Sequence, residues 1–274
     1  MNTNYEHEPR TRIIINADDF GINDGLNAAV EAAHKSGCLN SASLMPFGAR
    51  AADAVKIAKQ NPKLLIGLHA DFDSGFIKML LTSFFSTKKF KKNIEQELRK
   101  QITECAQLGI KRLSHLDSHR HVHMIPAVFS VFKKLADEYK IPRVRVMNEN
   151  CFTVFWACPS LDWIKIGAYM KWPILTVLRW MCGRAARANT YFYGLMYSGK
   201  MFGRNVKKIR VPCGYDSVEV SFHPSAFADA SGGLSGTDKK FYESPDRMRE
   251  FETVMDKNFP KRVFPPLDRL LTLS

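Results

Sequence analysis

A chain of 274 residues with 40 Lys+Arg against 27 Asp+Glu, a formal charge of +13, has room for one large domain or two small ones. Hydrophobic residues make up 45%, aromatics 11% and charged residues 24%; a chain this long buries roughly 75% of its unfolded surface, which excludes wholesale disorder. Six scattered cysteines exclude a disulfide framework, no uncharged stretch reaches the ~20 residues of a bilayer span, and residues 1–12 lack the apolar core of a secretory signal. The expected setting is cytoplasmic, with peripheral contact at the inner membrane face left open.

Residues 12–19 form a β-branched run ending in polar residues, which reads as a buried strand whose carboxyl end carries chemistry. Residues 21–24 turn the chain, and 27–36 continue as an Ala-rich helix with Gly37 as its C-cap. The grammar repeats: strand 39–45, helix 50–60, strand 64–69, then a helix at 94–108 closed by Gly109. Residues 112–117 read as a strand, 126–139 as a helix with proline at its start, and 142–147 as a strand. Later come a strand at 217–222 and a helix at 246–256. This alternation predicts an α/β protein with a parallel sheet, open or closed. One domain over 12–274 is expected behind a flexible arm at 1–11, with 231–236 as a mobile loop.

The positive charge is concentrated. No Asp or Glu occurs from Trp163 to Tyr215, which holds ten Lys and Arg, or from Ser74 to Ile94, which holds five Lys. Both stretches also carry large apolar side chains, among them Phe84, Phe85, Trp172 and Trp180. They read as solvated amphipathic faces or as helices resting on anionic lipid. No zinc-finger spacing, RNP-like aromatic motif or KH-type loop accompanies the charge, so a nucleic-acid partner is not expected.

Histidine and aspartate gather at predicted strand ends. In the run from His115 to Met124, positions Asp117, His119, His121 and His123 are spaced by two. They share a face if the chain is extended; if it turns helical after 119, His119 and His123 share one instead. Asp18 and Asp19 repel, and a regular strand would send them to opposite faces, so a bend is needed if both serve one site. His69 follows an apolar strand and His223 another, and the carboxyl ends of parallel strands converge on one face. One Asp with two neutral His suits Zn²⁺, Mn²⁺, Fe²⁺ or Co²⁺, with Mg²⁺ less usual, and three ligands leave room for water and substrate. Asp18 as base and His223 as acid would complete an apparatus for hydrolysing an amide, or an ester.

The motifs Asn16-Ala-Asp-Asp-Phe-Gly21, Gly67-Leu-His69, His115 to Met124 and His223-Pro224 resemble, in order, the four signatures of the YdjC-like carbohydrate deacetylase family. Residues 192–201 resemble a segment of its hopanoid-associated branch. The resemblance implies a deviant (β/α) TIM-like barrel and one divalent ion, Mg²⁺ or Zn²⁺, held by Asp19, His69 and His119. It implies Asp18 as general base, His223 as the acid or leaving-group partner, and Asp117, His121 and His123 as groups orienting the ligands. Arg143 or Arg145 is expected on substrate oxygens or in support of the site residues. Arg120 stands where some members have another His. The basic, aromatic insertion at about 152–187 turns the expected substrate from a soluble N-acetylated sugar toward a lipid-linked glycan, with contact to anionic membrane; a homodimer is compatible. A two-metal phosphoesterase and a membrane-surface protein with a degenerate site are the rivals. Asp19-Phe20-Gly21 lacks the Gly-rich and catalytic loops of a kinase.

Overall fold

A computed structural model describes residues 11–85, 87–150, 166–206, 209, 212, 214–227, 236–264 and 270–272. The arm at 1–10 and the loop 231–235 therefore lie outside the described residues, as do 151–165 of the basic aromatic insertion.

Strand β1 (Thr11–Phe20) is built on Ile13, Ile14 and Ile15 and is buried on both faces, as a central parallel strand must be. Helix α1 (Asp24–Ser36) begins three residues earlier than the apolar pattern indicated, because the Asn23 side chain accepts the Leu26 N–H at 2.8 Å and caps it. Then follow β2 (Ser41–Leu44), α2 (Ala51–Gln60), β3 (Leu65–Ala70), α3 (Phe76–Phe85), α4 (Thr87–Leu108) and the short β4 (Leu116–Ser118). A 3-10 turn, His119–Met124, leads into α5 (Pro126–Glu138). Beyond it lie α6 (Ile166–Cys182), β5 (Thr190–Tyr193), β6 (Ser217–Phe222), α7 (Gly236–Tyr242), α8 (Asp246–Met255), α9 (Phe259–Val263) and β7 (Leu270–Thr272).

All strand pairs are parallel, in the order β4-β3-β2-β1-β6-β5, with β7 beside the first three residues of β1. Six strands thus form one curled sheet, and every carboxyl end opens on the same rim.

The strand expected at 142–147 is reduced to a single bridge, Leu116 to Val144. Pro142 gives it no N–H to pair, and its arginines turn inward to carboxylates. Farther along, Asn148 replaces the ladder with its side chain, donating to the Thr190 carbonyl (2.9 Å) and accepting from the Phe192 N–H (2.7 Å). This segment therefore bonds to both β4 and β5, the two ends of the sheet. Among the described residues no helix is long and apolar enough to cross a membrane.

Candidate active site

Asp18 and Asp19 end β1, His69 sits near the end of β3, His119 opens the turn after β4, and His223 follows β6. The bend required between the two aspartates is present. Asp19 adopts φ +64° inside the strand, and pairing with β2 shifts register between Ala17 and Phe20. A left-handed conformation is costly for a residue with a Cβ. Gly21 follows at φ +99°, where a Cβ would lie 3.1 Å from the Met45 carbonyl oxygen. The bend turns Asp19 toward the two imidazoles and leaves Asp18 facing inward.

Asp19 Oδ1 lies 3.1 Å from His69 Nε2 and 3.1 Å from His119 Nδ1. The same three residues form one of the groups whose donor atoms lie within 4.8 Å of one another. On the far side of its ring, His69 Nδ1 donates to Asp117 Oδ1 at 2.5 Å, which fixes the ring with its Nε2 edge toward the cluster. Burial works to raise the Asp19 carboxyl, but the charge and hydrogen bond of His119 and the hydrogen bond of His69 outweigh it and hold it well below the usual range. Burial likewise works against the His69 cation, and Asp117 outweighs it. One carboxylate and two imidazoles with one outer nitrogen anchored are a donor set that fits a divalent cation.

Tyr242, in α7, has no signal in the local sequence, yet its hydroxyl donates to Asp19 Oδ2 at 2.5 Å and fixes the second oxygen of the same carboxylate. Tyr242→Phe is expected to weaken divalent-ion binding by about tenfold with little effect on thermal stability; calorimetric titration with Zn²⁺ and with Mg²⁺ checks it.

Beneath the cluster lies a dry polar layer centred on Arg145, whose side chain is 1% exposed. Its guanidinium forks onto Asp18 at 2.7 and 2.9 Å, reaches Asp117 Oδ2 at 2.8 Å and Glu219 Oε1 at 2.6 Å. Arg143 also bonds to Glu219. Neither arginine lines the cavity described below; of the two roles expected for them, substrate contact or support of the site residues, their contacts fit the second, since the buried carboxylates hold both cations. Asp18 accepts further bonds from Asn16 (2.7 Å) and Ser221 (2.9 Å), so four donors surround it. Ser43 bridges His115 and Asp117. His115 stacks directly over Gly67, where a Cβ would come within 2.3 Å of the ring.

The His115–Met124 run follows neither pattern drawn from its spacing. Arg120 and His121 are left-handed, at φ +57° and +61°, so the chain reverses sharply after His119. His123 is carried away from the cluster, with Nδ1 on Ser118 Oγ at 2.8 Å and its ring against Phe132. His121 reaches the cavity wall. His223 Nε2 stands 3.9 Å from Asp18 Oδ2 and 3.9 Å from Asp19 Oδ2. Burial lowers its imidazole pKa, against the pull of the two aspartates. Glu250 holds its backbone N–H at 2.5 Å and Phe241 packs edge-on against the ring.

A cavity of about 630 Å³ opens over these groups. Asp18, Asp19, His69, His119 and His223 lie on one side; Arg120, Lys171, Lys200 and Lys240 supply positive charge on its walls. Lys171 is pushed down by burial and then by the charge of Arg120. Glu149, buried behind the wall, accepts the N–H groups of Gly194, Leu195 and Met196 and so shapes the loop that faces the cluster. Burial pushes the Glu149 carboxyl up to about 7, against those three donors.

A parallel α/β sheet bearing a one-carboxylate, two-imidazole cluster under a polar cavity defines a class of proteins able to hold a single divalent ion at the strand ends. Residues 12–263 match the family model of the YdjC-like proteins, and the chain belongs to that family. It is 35% identical over 144 residues to a carbohydrate deacetylase of Brevibacillus brevis, a stretch covering 48% of this chain and 58% of that one. Against carbohydrate deacetylases of Oceanobacillus iheyensis and Vibrio parahaemolyticus it is 34% and 32% identical, with 63% and 57% of those chains covered. The chain thus spans under two thirds of the length of the curated relatives it matches. In fold it is similar to a crystallised protein of Enterococcus faecalis V583 provisionally named for cellobiose-phosphate cleavage, with a TM-score of 0.60 and 20% identity over 96% of this chain and 98% of that one.

Proposed function

We propose that the protein is a metal-dependent hydrolase that removes the N-acetyl group from an amino sugar. The observation that carries this reading is the convergence of Asp19, His69 and His119 on one point, with Asp18 and His223 beside it at the floor of a cavity. The names of the relatives support the substrate class. The curled sheet then reads as a distorted (β/α) TIM-like barrel, with residues 143–148 as its irregular stave; the two Asn148 bonds to β5 support that closure.

Asp19, His69 and His119 would hold the ion, which when bound supplies a Lewis acid for the acyl oxygen and acidifies a water. The residues of the chain do the rest. Asp18, held in place by four donated hydrogen bonds, would take the proton from that water. His223 delivers a proton to the departing amine as the C–N bond breaks, leaving acetate and a free amino group. His69 is held in one tautomer by Asp117. The basic walls suit a substrate carrying an anionic group, which supports a glycan joined through phosphate to a lipid carrier over a neutral free sugar.

Arg145 argues against the phosphoesterase alternative. Its guanidinium already occupies the point between Asp18, Asp117 and Glu219 where a second cation would sit. Incubation with a panel of N-acetylated glycans, free and lipid-linked, is expected to release acetate, and native mass spectrometry to find one divalent ion per chain. Phosphate release with two ions per chain would overturn the assignment.

A further inference from the structure

Two helices that pack against the 119–124 turn carry apolar residues on their solvent side. Helix α3 buries Met79 and exposes Ile77, Leu81, Phe84 and Phe85, a single helical face. Helix α6 buries Leu175 and Leu178 and exposes Met170, Ile174, Val177 and Met181, spaced four, three and four, with Trp180 alongside. Phe85 is 87% exposed and Trp180 81%. Contiguous apolar surface of this kind marks an interaction site.

The two stripes belong together. Both helices pack against the 119–124 turn that carries His119, and Phe76 and Trp172 enter the same apolar cluster. Lys171 of α6 also lines the cavity. Along both helices every charged residue is basic. Lys78, Lys88, Lys89 and Lys92 are exposed on α3 and α4, and Lys171, Arg184 and Arg187 on and after α6. Neither 74–94 nor 166–206 contains an acid. A second copy of the chain would set these cations against themselves, whereas a sheet of anionic headgroups neutralises them while its acyl region takes the aromatic and aliphatic side chains.

We propose that α3 and α6 form a docking face that seats the protein flat on an anionic phospholipid bilayer, beside the mouth of the cavity. This names the surface at which the deacetylase reading would find a lipid-linked substrate and rests on that reading for its purpose; the contact itself is tested without substrate. The whole chain is floated with vesicles of phosphatidylglycerol and phosphatidylcholine, and separately with phosphatidylcholine alone. Recovery is expected at least tenfold higher with the anionic vesicles. Lys88→Gln should lower binding about fivefold, the effect of one interfacial cation. Phe85→Ser with Trp180→Ser should abolish it while circular dichroism and acetate release from a soluble N-acetylated sugar stay at parental levels. A protein that stays unbound with both vesicle types, or binds them equally, overturns the proposal. So does a dimer in sedimentation velocity that the Phe85→Ser, Trp180→Ser pair dissociates. A chain that binds vesicles but releases acetate from no glycan upholds the docking face and removes the deacetylase.

Discussion

Arg145→Leu is expected to leave the chain barely able to fold. The side chain is enclosed by Asp18, Asp117 and Glu219, all buried, and it contacts each of them. Removing one partner of a buried ion pair costs about 3–5 kcal/mol because the other charge is stranded. Here Asp18 loses its guanidinium outright, while Asp117 keeps as ion-pair partners only His69 and His115 and Glu219 only Arg143, against a total stability of about 5–15 kcal/mol for a typical protein. A fall in melting temperature of about 10 °C or more, or recovery only from the insoluble fraction, is the expected result. Arg145→Lys should fall between, keeping the charge but losing the two-pronged contact with Asp18. The acid limb of the stability curve supplies a separate check. Burial raises the Glu219 carboxyl, but Arg143 and Arg145 outweigh it and hold it at about 2. Its depressed folded pKa contributes stability above the ordinary glutamate range, near 4.3, and that contribution fades as pH falls toward 2. In Arg145→Lys the contribution should be smaller and its fading should end at higher pH, read from urea unfolding at a series of pH values.

His119→Ala is expected to behave in the opposite way, with a loss of at least about a thousandfold in acetate release and an intact fold. His119 sits on the rim with its side chain 17% exposed, and its only hydrogen bond described here is to Asp19. Truncation takes one partner from the buried Asp19 carboxylate, which keeps His69 and the Tyr242 hydroxyl, and it opens no core cavity. Native mass spectrometry should find the variant free of the ion that the parent retains. A variant that keeps both ion and activity would place the centre elsewhere. Asp18→Asn should also lose activity while keeping the ion.

The strands up to β3 and β6 are readable because buried parallel strands are short apolar runs between breakers, and 12–19, 64–69 and 217–222 have that form, whereas the expected strand 112–117 enters the sheet only at Leu116–Ser118. The chemistry was readable for a related reason: polar residues at the end of an apolar run have few structural uses. What the pattern hid is tertiary. The edge segment 142–147 has a strand's composition, yet its backbone pairs with β4 at a single bridge, and the bonds to β5 just beyond it come from the Asn148 side chain. β5 was missed because Thr190–Tyr193 is only four residues long and follows a basic helix rather than a breaker. The spacing of His119, His121 and His123 assumed a regular backbone, and two left-handed residues break that assumption. Arg143 and Arg145 look like ligands for a substrate in any listing of charges; only the fold shows that Glu219 and its neighbours claim them. Tyr242 comes from a helix more than two hundred residues from the aspartate it touches, and nothing near it in the chain announces that contact.

The guanidinium below the rim has a consequence for how such a protein is made. Because a permanent organic cation, and not an imported ion, meets Asp18, Asp117 and Glu219, the charge of that interior layer is balanced from within the chain as it folds.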